Sequence, residues 1–295
     1  MNVYYTGQAL NLSALYMIAG SGAVISIKSG NFNLGGEGQI YLGGFVCAVV
    51  LAKLNLPWGI SVLPALLAAI VCSALMAGLS ALFKIFRNAD FLFTSFIASA
   101  AVIPFIDGLV AGPFRSTTDN LLATPFIPEG VRLTSILPPS PLNASFIFAL
   151  ALCAATWLVL NRTAWGRQLC TLGVSSEFSR FAGFANHKLT FGSALFSGAL
   201  HGLCGGTAIL GTYFTCHQGF YSGMGWNAFS AALIAGANPL FLIPSSIFMG
   251  VITTYSNKFA MYNNFGFDMS SLLQAVILFG IAFPTHMPER FRRSK

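Results

Sequence analysis

Apolar residues in this chain run together in long stretches, and each stretch ends at a cluster of charged, Gly, Pro or Asn residues. Taking those clusters as breaks gives nine candidate spans, near 8–27, 33–52, 58–83, 90–112, 144–161, 188–212, 226–237, 240–261 and 269–286. A membrane-crossing helix needs roughly 20 mostly apolar residues, and most of these qualify. The runs show no strict two-residue alternation, which excludes a membrane barrel. Lipid offers the backbone no hydrogen bonds, so the spans must be helices. The expected fold is all-α, a polytopic transmembrane helical bundle of about nine spans (8–10) in a single domain over residues 1–295. The seventh span is short, about 18 Å of helix, so it is either a half-helix or continues backward through Gly225 and Gly223.

Composition agrees. Hydrophobic residues make up 55% of the chain and charged residues 8%, against about 25% charged in a soluble domain. So few charges could not cover a soluble core. The net charge of +7 fits Lys and Arg flanking spans on the cytoplasmic side, and no nucleic-acid partner is expected. The six cysteines are scattered, with no zinc or redox spacing, and read as small core residues. The N-terminal residues lack the basic stretch of a cleaved signal peptide.

An odd number of spans puts the termini on opposite sides, with the Arg290-Phe-Arg-Arg-Ser-Lys tail cytoplasmic and the N-terminus outside. Alternation then places eleven basic residues inside: Lys28, Lys84, Arg87, Arg162, Arg167, Arg180, Lys188, Arg290, Arg292, Arg293 and Lys295. Lys53, Arg115, Arg132 and Lys258 fall outside, the expected bias for a bilayer. The outer loop, about 113–143, holds six prolines and cannot form a long regular helix. The inner loop, about 162–187, is polar. Ser175 or Ser176 can cap a short helix there that Gly183 ends. Phe178, Phe181 and Ala182 share one face of it, which suits either a partner protein or the lipid headgroups.

Three spans carry unusual residues. The second opens with Asn31-Phe-Asn-Leu-Gly-Gly-Glu-Gly-Gln. A carboxylate such as Glu37 costs roughly 2.5–3.5 kcal/mol at the bilayer centre. Either Asn33, Glu37 and Gln39 belong to a broken helix at a pathway or gate, or Glu37 is an interfacial cap. Gly36-x-Gly38 is not a nucleotide loop, because Tyr41 replaces the third glycine and no strand precedes it. In the sixth span Gly198, Gly202 and Gly206 lie four apart and form a packing face, beside which His201 reads as a structural hydrogen-bonding residue. Gly236-Ala-Asn-Pro-Leu, with Asn238 a further gate candidate, breaks the chain between spans seven and eight. Asp107 reads as interfacial and Asp268 as the cap of span nine. No nucleotide-hydrolysis, metalloprotease or serine-hydrolase motif is present, so an enzyme is not expected, nor a cofactor or metal. The few intramembrane ionisable residues, Glu37 and His201, offer little for an ion-driven secondary transporter.

The second-span segment resembles the Phe-Asn-Ile-Gly-x-Glu-Gly-Gln signature of bacterial nucleoside-type ABC importer permeases, within the branched-chain amino acid and ribose-type class. Riboflavin-import permeases are a close subgroup. Thr163-Ala-Trp-Gly-Arg-Gln-Leu through Ala182-Gly-Phe-Ala resembles that family's cytoplasmic segment. Gly223-Met-Gly-Trp-Asn-Ala-Phe-Ser-Ala-Ala-Leu-Ile-Ala-Gly-Ala-Asn-Pro-Leu is similar to a third family segment. Two departures stand out: Cys170-Thr-Leu-Gly replaces Arg-Ala-x-Gly, and Asn88-Ala-Asp replaces Asn-Glu-Val. The resemblance implies a membrane core of two permeases (homo- or heterodimer), two cytoplasmic ATP-binding subunits and an external substrate-binding protein, in the bacterial cytoplasmic membrane. It also implies that Ser176, Glu177, Phe178, Arg180, Phe181 and Gly183 form a coupling helix docked to an ATPase. The expected solute is nucleoside-like, a purine nucleoside or riboflavin, with a sugar or branched-chain amino acid as the alternative.

Overall fold

The computed structural model describes residues 3–54, 59–117, 120–264 and 269–282. Asp268 and the basic tail from Arg290 onward lie outside the described residues. The helices are α1 (Val3–Lys28), α2 (Gly36–Lys53), α3 (Val62–Arg87), α4 (Phe91–Ala111), α5 (Ser145–Arg162), α6 (Ala164–Val174), α7 (Ser176–Phe181), α8 (Asn186–Ala208), α9 (Met224–Ile234), α10 (Leu242–Tyr262) and α11 (Met269–Ala282). A π-helical turn, Ile209–Tyr213, extends α8. Each of the nine apolar segments contains a helix. Among the described residues five of these, α1, α3, α4, α5 and α8 with its π turn, are long and apolar enough to cross a membrane. Span two begins later than expected: residues 31–35 are not helical, and α2 starts only at Gly36.

α1, α2 and α8 form the centre, and α3, α4 and α5 wrap them with faces open to lipid. α3 shows why. Its large side chains Leu63, Leu67, Leu75 and Leu79 are exposed, while its small ones, Ala65, Ala69, Ser73 and Ala77, are buried. Between helices in lipid, packing depends on close approach, so small residues face inward. The four-residue glycine spacing on α8 meets this face. A methyl added at Gly198 or Gly202 would lie 2.5 Å from the carbonyl oxygen of Ser73 or Ala69, and one at Gly206 2.7 Å from Leu66. Gly43 of α2 approaches Gly202 from the other side, where a methyl would sit 2.5 Å from its carbonyl oxygen. α8 is thus clamped between α3 and α2 by backbone contact.

The long loops sit at opposite ends of the bundle. Among the described residues of 112–144 the only helical piece is a 3-10 turn, Glu129–Val131, as the prolines demand. They are tied to the end of α8 by backbone bonds from Ile127 to Phe214 (2.9 Å) and Leu133 to Leu210 (2.8 Å). The starts of α1 and the ends of α2 and α10 lie here too, through contacts of Gly7 with Ser140, Lys53 with Phe114 and Lys258 with Tyr5. At the other end stand α6 and α7. The Thr163 side chain caps α6 and that of Ser175 caps α7, accepting from Phe178 N at 3.2 Å. Gly183, at φ +78°, turns the chain after α7, with its N–H bonded to Arg180 O. The short helix, its cap and its stop are those expected.

Replacing Gly202 with Ala should therefore cost about 1–3 kcal/mol through overpacking, lowering the melting temperature of the detergent-solubilised protein. Gly108 on α4 has nothing within 4 Å of an added methyl, and Gly108→Ala should leave it unchanged. Equal melting curves for both variants would contradict the clamp.

Candidate functional site

Two helices of this bundle begin inside it. α2 starts at Gly36 and runs to the proline-rich end, while residues 29–35 lead into it from the α7 end as irregular chain. α9 starts at Met224 and runs the other way; residues 214–223 feed it from the proline-rich end. The two starts touch. A methyl on Gly225 would lie 2.6 Å from Glu37 N, and one on Gly36 3.3 Å from Gly225 Cα. Only glycines permit that approach. His201 also borders Gly36, and it lies fifteen residues into α8, ~22 Å along an extended helix of ~42 Å. The meeting point is therefore near mid-depth.

A helix start leaves up to four N–H groups without partners, a serious cost away from water. α2 has no side-chain cap on Gly35, and its neighbours supply the acceptors. Asn33 Oδ1 takes Gly35 N–H at 3.0 Å, Ser99 Oγ of α4 takes Gly38 N–H at 2.8 Å, and Ser95 Oγ takes Leu34 N–H at 3.1 Å. For α9 the acceptor is Glu37, whose Oε1 takes Trp226 N–H at 3.1 Å. Glu37 is 7% exposed. Glu37 is a cap, but it caps another helix deep in the bundle rather than its own at an interface.

Asn33 and Gln39 do come together. Asn33 Nδ2 donates to Gln39 Oε1 at 2.9 Å and to Ser197 Oγ at 2.9 Å, and Gln39 Nε2 donates back to Asn33 Oδ1 at 3.1 Å. His201 Nδ1 lies 2.8 Å from Gln39 Oε1, so the histidine is part of this network. Towards the α7 end the polar line continues through Asn31, whose Nδ2 reaches Ser193 Oγ at 3.4 Å and whose Oδ1 accepts from Lys84 Nζ at 2.6 Å. Asn31, Ser193, Ser197 and Trp226 were not anticipated. A signal existed for two of them: Ser193 and Ser197 recur with His201 every four residues, a polar stripe along α8.

Asn238 does not join. It sits beyond the far end of α9, where its Oδ1 accepts from Leu240 N at 3.0 Å in the turn before α10. Asn238 thus stands in that turn, apart from the Asn33–Gln39 network. Asp107, as expected, lies near one end of α4, and accepts from Tyr41 OH at 2.6 Å.

The α7 end is in direct contact with the broken start of α2. Gly173, in the last turn of α6, abuts the Lys28 carbonyl, and a methyl there would also lie 3.0 Å from Gly30 N. Gly30, at φ +70°, begins the irregular stretch. Beside this contact opens a cleft of 1140 Å³ lined by Asn31, Lys84, Ser175, Arg180 and Lys188 among others. On α7 itself Phe178 and Phe181 are 63% and 83% exposed.

A family model described as branched-chain amino acid transport system / permease component matches residues 5–282. The chain is 32% identical over 277 residues to the probable riboflavin import permease protein RfuC of Treponema pallidum, covering 92% of this chain and 73% of that one. It is 24% identical to the glucose ABC transporter permease protein TsgB13 of Haloferax volcanii, over 89% of this chain and 72% of the relative. It is 22% identical to the guanosine ABC transporter permease protein NupP of Bacillus subtilis, over 95% and 81% respectively. No solved structure matches it. The ion-driven transporter and intramembrane enzyme readings are thereby set aside. The chain belongs to the permease family of ABC importers, as a multi-pass membrane component of a transport system and not itself an enzyme.

Proposed function

We propose that this chain forms half of the translocation path of an importer for a nucleoside-like solute, a planar heterocycle carrying a ribose or ribityl chain. The observation that carries this reading is the 32% identity to a permease named for riboflavin import. The relative named for guanosine transport supports the same solute class, and the one named for glucose supports a sugar as the second reading. In this reading the chain works as one transmembrane unit of nine crossings in a bacterial cytoplasmic membrane. It pairs with a second permease, itself or a sister chain. Two cytoplasmic ATP-binding subunits drive it, and an external binding protein delivers the solute.

The placement of charge supports the orientation. Among the described residues, Lys28, Lys84, Arg87, Arg162, Arg167, Arg180 and Lys188 belong to the end that carries α7, and Lys53, Arg115, Arg132 and Lys258 to the opposite end. A seven-to-four bias favours the α7 end as cytoplasmic. There the exposed Phe178 and Phe181, flanked by Glu177 and Arg180, offer an ATPase groove both apolar anchors and charge. Motion of α7 would pass through α6 to Gly173, and from Gly173 to the Lys28–Gly30 turn. That turn leads straight to Asn33 and to the paired starts of α2 and α9, the gate in this scheme.

Three measurements test the proposal. The chain, assembled with its genomically adjacent ATPase and binding protein, should show solute-stimulated ATP hydrolysis with riboflavin or a purine nucleoside. Stimulation by glucose alone would replace the solute class. Arg180→Glu, or Gly183→Pro at a position whose φ of +78° proline cannot adopt, should reduce ATP-driven uptake at least tenfold with membrane insertion intact. Normal uptake by both would remove the docking role of α7. In a cysteine-free background, Phe181→Cys should react with an impermeant maleimide only in inside-out vesicles and Leu121→Cys only in right-side-out ones.

A further inference from the structure

Two buried polar atoms at the start of α9 are unpaired: one belongs to the residue that caps Trp226, the other to the residue after Trp226. Glu37 Oε1 takes the Trp226 N–H, and the N–H groups of Gly225 and Gly223 also face this carboxyl, but its buried Oε2 has no hydrogen-bond partner among the described residues. Asn227, the next residue on α9, spends its Nδ2 on Tyr16 OH at 3.2 Å, and its buried Oδ1 is likewise unpaired. Buried polar atoms without a partner are few in native proteins, and each calls for an explanation. Here the two share a property: both are acceptors. What would satisfy them is a donor.

The same stretch of α9 carries aromatic rings. Trp226 and Phe229 lie three residues apart and so share a face of α9. Trp226 meets Phe96 of α4 edge-on at 6.4 Å between ring centres, and Phe229 meets Phe32 at 6.5 Å. Phe96 and Phe32 are 46% and 39% exposed, so the strip of rings opens at the surface between α4 and α9. Rings paired this way favour a flat aromatic guest inserted against them.

We propose that Glu37 Oε2 and Asn227 Oδ1, bordered by Trp226 and Phe96, form a solute station inside the membrane that recognises planar heterocycles by a ring-edge N–H. The acceptors read the donor edge and the rings hold the plane. Riboflavin and guanosine both carry a lactam N–H between or beside carbonyl groups, whereas glucose has neither the plane nor that edge. The station rests on the importer reading above and sharpens it. Solute entry requires the Phe96–Trp226 pair to part, which couples occupancy to the separation of α4 from α9.

The clean variant is Glu37→Gln. Its amide oxygen still accepts the Trp226 N–H, so the cap on α9 survives, but the second oxygen becomes a donor. The complete transporter is reconstituted in vesicles, and uptake of riboflavin is compared with 3-methylriboflavin, and guanosine with 1-methylguanosine. Each methylated partner lacks the ring-edge N–H. Because the binding protein is the same throughout, a change in the parent-to-methyl ratio between wild type and variant belongs to the permease. Loss of a hydrogen bond to a buried acceptor should raise KM for the parent about tenfold, and Glu37→Gln should cut the ratio by a similar factor. Trp226→Leu, which keeps the backbone N–H, should raise KM for parent and methylated solutes alike. An unchanged ratio in Glu37→Gln overturns the station while leaving the importer reading intact. Should Glu37→Gln fail to assemble, unchanged KM values in Trp226→Leu overturn it. If wild type takes up neither parent, the solute class and the station fall together.

Discussion

Inside a bilayer no water waits to satisfy a free backbone N–H, and this protein starts two helices there. Everything distinctive about its centre answers that constraint. The start of α2 is closed by Asn33, Ser95 and Ser99, and the start of α9 by Glu37. The expense of placing a carboxylate near mid-membrane is offset by its use as a cap. It takes a hydrogen bond from a helix end whose dipole favours a carboxyl oxygen there. The carboxylate and the two helix starts therefore stabilise one another, and displacing one affects the other two.

The same junction depends on glycine for a different reason. Gly36 and Gly225 let the two helix starts meet at backbone distance, and Gly43 and Gly202 do so for α2 and α8. Such contacts leave little slack. Densely packed interiors shift between discrete arrangements rather than deforming smoothly, so a push on the Lys28–Gly30 turn from Gly173 would move the junction as a unit. The polar line Lys84–Asn31 and Asn33–Gln39–His201 runs beside that route. It gives the irregular stretch a fixed set of partners in the present arrangement and a defined set to exchange in another.

Parts of the site were legible in the residues. Asn33, Glu37 and Gln39 were picked out because polar side chains in an apolar span are expensive and need a reason. The short α7, its Ser175 cap and its Gly183 stop follow from local chemistry alone, as does the loop that six prolines keep irregular. Asn before Pro is equally suited to a gate and to a turn, and the residues around Asn238 carry no mark that would place it apart from Asn33 and Gln39, in the turn where its Oδ1 accepts from Leu240 N. Trp226 and Asn227 were invisible because their significance comes from Glu37, 189 residues away in the chain.

By itself, the sequence determined that this is a bundle of apolar helices, where each helix lies to within a few residues, and which end carries the basic charge. Those properties follow from transfer of side chains out of water and from local backbone preferences, both readable over a window of one helix. Only the tertiary structure decided that α2 and α9 begin face to face, that Glu37 caps the second of them, and that α6 presses on the turn before the first. These depend on which distant segments become neighbours, and a hydrogen-bond acceptor carries no mark in the sequence of the donor it will meet.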